Sequence, residues 1–273
     1  KDEKYVKNES KEPDGRFSIG TPRVSDGQLL FLQHMISKME PSGSRIGVVF
    51  NGSPLFTGDS GSGESEIRKW IIENDWLETI VQLPDSMFFN TGITTYLWIV
   101  TNKKSPKRKG KVQLINGSSF YLTMKKSLGD KRKFIEDTQI EKILHTYKTF
   151  EENEVSKIFD NDFFGYTKVT IEQPLFKNEK IVIDKKGKPK PDSKLRDYER
   201  VPLSEDIEEY FIHEVRPHSP DSWIDFNKNK VGYEINFSKY FYQYKPLRSS
   251  KNIIQDLLNL DKELEILKKR VIN

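Results

Sequence analysis

The residues from Gly58 to Ser65, "GDSGSGES", have the spacing of a loop that could hold a nucleotide phosphate. In such a loop, backbone N–H groups cradle the phosphates and a lysine beside the final hydroxyl neutralises their charge. Here the lysine position is Glu64, which would repel the ligand. A dinucleotide-type pattern starting at Gly61 also fails, because its third glycine position is Glu66. The expectation is that no nucleotide binds here and that the two acids favour the positive end of a following helix. "HEVRPH", His213 to His218, has its second histidine one position too far for a helical zinc pair, and Pro217 breaks the helix such a pair needs. His34 and His145 stand alone, and no carboxylate pair or nucleophile–base set stands out. No metal site is expected.

The run "KKSPKRKGK" has six basic residues in nine. Two readings remain open: a solvated turn, or contact of Lys103, Lys104, Lys107 and Arg108 with a DNA backbone. The chain's net charge of +4 permits a polyanionic partner without demanding one. With no cysteine, disulfides and thiolate sites are excluded, and a reducing, cytoplasmic compartment is expected. No apolar run is long enough for a membrane span. The chain starts at Lys1 without a methionine, and the expectation is either a processed product or a piece of something longer.

These residues must be positioned by elements that the apolar pattern supplies. "SDGQLLFLQHMISKM" reads as a helix capped by Ser25 or Asp26. "RIGVVF" reads as a strand buried on both faces, "ESEIRKWIIENDW" as a helix and "LETIVQL" as a strand. This order forms a right-handed parallel unit. The strand "ITTYLWIV" follows after about nine residues, too short a gap for a crossover, so it must run antiparallel to its neighbours. Asn51, Gly52, Ser53 and Pro54 in one loop, and Pro84 and Thr91 in the other, then share the rim beyond the carboxyl ends of the parallel strands. Ligands bind along that rim in open α/β sheets. A change of texture places a domain boundary near residue 153. The last helix, residues 249–271, carries Ile253, Leu257, Leu260, Leu264, Leu267 and Val271 in a heptad-like seam. That seam packs either within the chain or on a helix of another protein.

Several blocks occur together: "DGRFSIGTPRVSDGQLLFLQHMISKM", "RIGVVFNGSPLFTG", "EIRKWIIENDWLETIVQLPDSMFFNTGITTYLWIVTNKK", "GKVQLINGSSFY", "FFGYTKVTIEQPL" and "VGYEINFSKYFYQYKPLR". In this order they resemble the modification (M) subunit of type I restriction-modification systems, a family of adenine-specific DNA methyltransferases using S-adenosyl-L-methionine. The resemblance implies the C-terminal part of a Rossmann-like methyltransferase sheet over residues 1–152. A smaller α+β region over residues 153–273 follows, ending in a partner-docking helix.

The family's glycine-rich cofactor motif and its Asn-Pro-Pro-Phe tetrapeptide are absent here, and both are expected upstream. The resemblance therefore implies that the complete subunit transfers methyl groups to adenine, whereas this chain alone binds no cofactor, contains no catalytic residue and is inactive. An aromatic from the loop before the final antiparallel strand packs on the flipped base in related enzymes. The matching loop is "SMFFNTG", where the spacing to Ile93 favours Phe88 over Phe89. The implied partners are DNA, the specificity (S) subunit, on which Ile253, Leu257, Leu260, Leu264 and Leu267 would dock, and the restriction (R) subunit. A rival reading is a non-catalytic nucleic-acid or protein interaction module on a methyltransferase-like half-fold.

Overall fold

The computed structural model describes residues 2–178, 180–184, 186–244 and 246–272, without the side chains of 270–272. Residues up to Tyr240 form one compact unit, and those from Phe241 onward form a second.

The first unit opens with α1 (Glu3–Glu9) and α2 (Gln28–Ile36), which buries Leu29, Leu32 and Ile36. β1 (Arg45–Phe50) leads through the single-turn α3 (Ser53–Phe56) to α4 (Gly63–Glu73). α4 starts where the Ser62 hydroxyl accepts the Ser65 N–H, and it buries Ile67, Ile71 and Ile72 on one face. β2 (Leu77–Gln82), β3 (Tyr96–Thr101) and β4 (Lys111–Asn116) follow, with Ile80, Trp98, Val100 and Leu114 essentially inaccessible. A hairpin of β5 (Leu122–Leu128) and β6 (Lys131–Phe134) precedes α5 (Asp137–Thr149). α5 begins in a reciprocal Glu136–Gln139 capping box and ends at Phe150 in the left-handed region. β7 (Ser156–Asp160) completes a five-stranded sheet of order β1-β3-β2-β4-β7.

β3 runs antiparallel to both β1 and β2, as its short connection requires. β1 and β2 are therefore parallel in direction, but β3 lies between them. β4 is parallel to β2, and β7 is antiparallel to β4. The expected burial of β1 on both faces is corrected: it is an edge strand whose exposure alternates, with only Phe50 buried.

β8 (Gly165–Glu172) is the spine of a second sheet. After a short hairpin of β9 (Phe176–Lys177) and β10 (Lys180–Ile181), β11 (Asp197–Pro202) pairs with β8. β12 (Trp223–Ile224) and β13 (Lys230–Tyr233) also pair with it. α6 (Ile207–Tyr210) and the wide turn after it bury Phe211 and Val215 against Val169, Ile171 and Val201. α7 (Phe237–Tyr240) closes the unit. The boundary expected near residue 153 is not where the chain divides: β7 belongs to the first sheet, and the division falls after Tyr240.

The second unit is mainly α8 (Ser250–Ile272). Ile253, Leu257, Leu260, Leu264 and Leu267 are each between 44% and 61% exposed. The side chain of Val271 lies outside the described residues.

Candidate functional site

Strand register fixes the rim. Phe50 and Gln82 both pair with Tyr96, and Asn116 pairs with Gln82, so the carboxyl ends of β1, β2 and β4 stand in one row. The loop after β1 and the loop after β2 leave that row about 10 Å apart, two strand spacings.

The first loop is held from both sides. The Asn51 side chain accepts from Gln28 Nε2 at 3.0 Å and from the Ser53 N–H at 2.9 Å, while its own N–H donates to Gln28 Oε1 at 3.1 Å. Partial burial would raise the Asp26 carboxyl, but hydrogen bonds from Ser53 and Gln28 outweigh it and hold the group below its ordinary value. Pro54 is buried at the start of α3. A one-turn helix leaves its carbonyls without partners, and Arg68 supplies them. Its guanidinium, 1% exposed, donates to Pro54 O at 3.1 Å, Thr57 O at 2.8 Å and Gly58 O at 3.3 Å. It also donates to Tyr233 O at 2.6 Å. Burial pushes this guanidinium down to about 10, still charged at neutral pH.

The glycine-rich turn beyond it is occupied by the protein itself. Gly58 has φ +88°, and a Cβ there would lie 2.3 Å from the Ser62 hydroxyl. Glu64 accepts from the Arg23 N–H at 3.0 Å and from Arg23 Nε at 3.2 Å. Asp59 pairs with Lys168 and, at 3.7 Å, with Arg200. The loop thus docks on the second sheet.

The second loop stands out from the rim. Leu83 N–H donates to Thr95 O at 2.8 Å and Ser86 N–H to Gly92 O at 3.2 Å, with Pro84 buried beneath. Phe88 is bridged to Thr91 across the tip. Phe88 is 38% and Phe89 62% exposed, so neither ring closes the core. Lys131 Nζ sits 5.0 Å from the Phe89 ring centre. Beside the loop, Leu55, Phe56, Tyr96, Asn236 and Phe237 line an open, largely apolar depression. Ser238 and Lys239 complete its lining, and the Asn236 amide donates to Glu234 Oε1 at 2.8 Å.

Sequence reasoning missed the β5–β6 hairpin, which braces this loop. Asp130 N–H donates to Phe89 O at 3.0 Å, and the Arg132 and Lys133 N–H groups donate to Ser86 O at 2.9 and 3.1 Å. Lys133 also pairs with Asp85. Gly129-Asp130, a hairpin-closing dipeptide between two basic runs, was the available signal.

The basic turn lies away from the rim. β3 ends beside the start of β1, since Thr101 pairs with Arg45. The turn after β3 therefore lies at the opposite end of the sheet, roughly 20 Å from the rim. Lys104 is buried, donating to Asp75 at 2.6 Å and Lys111 O at 2.7 Å. Arg108 is buried between the rings of Tyr147 and Phe150, 4.2 and 4.3 Å from their centres, with Glu78 at 3.7 Å. Burial pushes both cations below their ordinary values. Lys103 and Lys107 stay exposed but donate to the carbonyls of Ser42 and Lys148 at 2.9 and 3.0 Å. Among the described residues no three His, Asp or Glu side chains converge as a metal site, and no helix is long and apolar enough to cross a membrane.

A mixed sheet with two loops gathered at its carboxyl rim defines an α/β protein. The family model for N-6 DNA methylase matches residues 2–179, and the chain belongs to that family. It is 29% identical over 182 residues to the type I restriction enzyme MjaIX methylase subunit of Methanocaldococcus jannaschii, covering 65% of this chain and 31% of that one. It is 38% identical over 109 residues to the HindI methylase subunit of Haemophilus influenzae, covering 40% and 24% respectively. A methyltransferase subunit structure from Streptococcus thermophilus aligns at 26% identity and a TM-score of 0.49, over 57% of this chain and 31% of that one. The chain thus spans about a third or less of the length of these relatives.

Proposed function

We propose that this chain forms the base-receiving rim and the docking helix of an adenine-specific DNA methyltransferase subunit in a type I restriction-modification complex. The observation that carries it is the juxtaposition of the Asn51–Pro54 loop with the exposed Phe88 loop on one carboxyl rim, within the region matched by the N-6 DNA methylase model. A target base leaves the stack to be modified, and an exposed aromatic beside an apolar depression offers it a surface.

S-adenosyl-L-methionine would be the methyl donor of the complete enzyme. The groups on this rim do not fit it. The donor's ammonium and ribose hydroxyls need free acceptors, whereas Asp26, Asp59 and Asp85 are already bonded to Gln28, Lys168 and Lys133. The chain also has no Asn-Pro-Pro-Phe. On this reading the donor site and catalytic tetrapeptide come from another part of the subunit, and the isolated chain is inactive. The α8 seam meets the specificity subunit, and the restriction subunit joins the assembly.

The test is transfer of labelled methyl groups to DNA adenine by a full-length subunit containing this chain. Replacing Pro84 to Gly92 with a glycine–serine linker should abolish transfer while leaving donor affinity intact. Undiminished transfer would overturn the reading, as would methylation by the isolated chain.

A further inference from the structure

Between Tyr121 and Phe134 the chain carries Lys125, Lys126, Lys131, Arg132 and Lys133 against Asp130 alone. This hairpin therefore holds an excess equal to the +4 of the whole chain. Lys133 is paired with Asp85 and Lys131 lies over Phe89. Lys125, Lys126 and Arg132 are exposed, with no carboxylate partner among the described residues.

Core packing does not account for the hairpin. Leu122, Thr123 and Lys125 to Leu128 are all exposed. A two-stranded ribbon is marginal by itself, and its β5–β6 pairing is irregular between Thr123 and Leu128. The rim loop fixes it, through the bonds to Phe89 O and Ser86 O. Gly129, at φ +62°, permits that approach, because a Cβ there would lie 2.5 Å from Phe89 O. The free cations are thereby tied to the loop that carries Phe88.

We propose that the β5–β6 hairpin is a phosphate-contacting arm for duplex DNA, in which Lys125, Lys126 and Arg132 grip the backbone beside the base that the rim receives. This rests on the reading of the rim as a base pocket. A nucleotide drawn out of the stack keeps its phosphates, and cations anchored to the receiving loop hold that strand in register. Phosphate contacts position a protein on DNA without reading sequence, which suits a chain whose target is read elsewhere.

The experiment measures affinity of the full 273-residue chain for a labelled duplex of arbitrary sequence by fluorescence anisotropy, between about 50 and 200 mM salt. Lys125→Ala/Lys126→Ala/Arg132→Ala should weaken binding ten- to several-hundredfold near 100 mM and flatten the log–log salt slope by about 2–3. Its melting temperature should not change, since the three side chains are exposed. Lys103→Ala/Lys107→Ala, at the far end of the sheet, should bind like the parent chain. An unchanged slope in the triple variant, or an equal loss in the control, overturns the proposal. So does tighter binding of single-stranded RNA or polyglutamate than of duplex DNA. No methyl donor or turnover enters the measurement. A failed arm therefore leaves the loop-replacement result standing, and a failed rim leaves the affinity result standing.

Discussion

Arg68 donates its Nε–H to the carbonyl of Tyr233 at 2.6 Å, joining residues 165 apart in sequence. The same guanidinium binds three carbonyls of the rim loop, so one side chain fastens the first sheet's rim to the edge of the second. No carboxylate lies within ion-pairing distance of it among the described residues. Its hydrogen bonds go to backbone oxygens, and Glu234 and Glu64 favour its charge from farther away.

Arg68→Met should therefore destabilise the chain by about 3–5 kcal/mol, because several buried carbonyls lose their donors together. Arg68→Lys should recover only part of this, since an ammonium cannot reach four divergent acceptors. Urea denaturation checks both. A loss below about 1 kcal/mol would show that water replaces the guanidinium readily.

The contact between Arg68 and Tyr233 also shows what the sequence could and could not reveal. The runs "LETIVQL" and "ITTYLWIV" announce strands, and the short gap between them gives the antiparallel sense of β3. Nothing local places β3 between β1 and β2, because periodicity defines an element and not its neighbour. The change of texture suggested a boundary near residue 153, yet the bonds of Arg68 and of the Ser65 hydroxyl with Tyr233 cross it. The basic run looked solvated or DNA-bound because Asp75 and Glu78, which capture Lys104 and Arg108, precede it by some 30 residues. The rim loops were legible because turn residues follow apolar strands directly.

Acid should act on the Asp75–Lys104 pair. Partial burial would raise the Asp75 carboxyl, but hydrogen bonds from Lys104, Gly110 N–H and Asn161 hold it below its ordinary 3.8. A carboxyl depressed in the fold stabilises it fully above that ordinary value, and the contribution fades as pH falls through the lower folded value. The urea midpoint of the parent chain should therefore drop below about pH 4. Asp75→Asn should flatten this acid limb and, by stranding the buried Lys104, lower stability at pH 7 by about 3 kcal/mol. An acid limb of unchanged steepness in Asp75→Asn would refute the assignment.

The exposed seam of α8 should be indifferent to charge in the isolated chain and intolerant of it in a complex. Leu257→Asp/Leu264→Asp should leave the melting temperature unchanged, since both leucines are about half exposed. Docking on a specificity subunit would bury both charges, at a cost of several kcal/mol and at least a hundredfold in affinity. Co-purification at parental yield would remove the seam from the interface. A shift from dimer to monomer in sedimentation of the chain alone would instead assign the seam to self-association.

Phe88 is the residue on which the base-pocket reading turns. Its ring stands at the tip of the loop after β2, 38% exposed and bridged to Thr91, with the hairpin bracing the loop from below. Loss of an aromatic platform typically removes about 1–3 kcal/mol of base stacking. If the loss falls on the transition state, Phe88→Ala in the full-length subunit should slow methylation about ten- to a hundredfold. Donor affinity should be unchanged, because the carboxylates of Asp26, Asp59 and Asp85 are already bonded within the chain. Phe89→Ala is the comparison. This ring is 62% exposed and lies against Lys131, so its removal should change stability by less than about 1 kcal/mol and methylation less than Phe88→Ala does. Equal losses from the two variants would mean that the loop acts as a unit through its shape. A lower melting temperature with normal turnover in Phe88→Ala would make Phe88 a packing residue and move the base to the depression beside Tyr96 and Asn236.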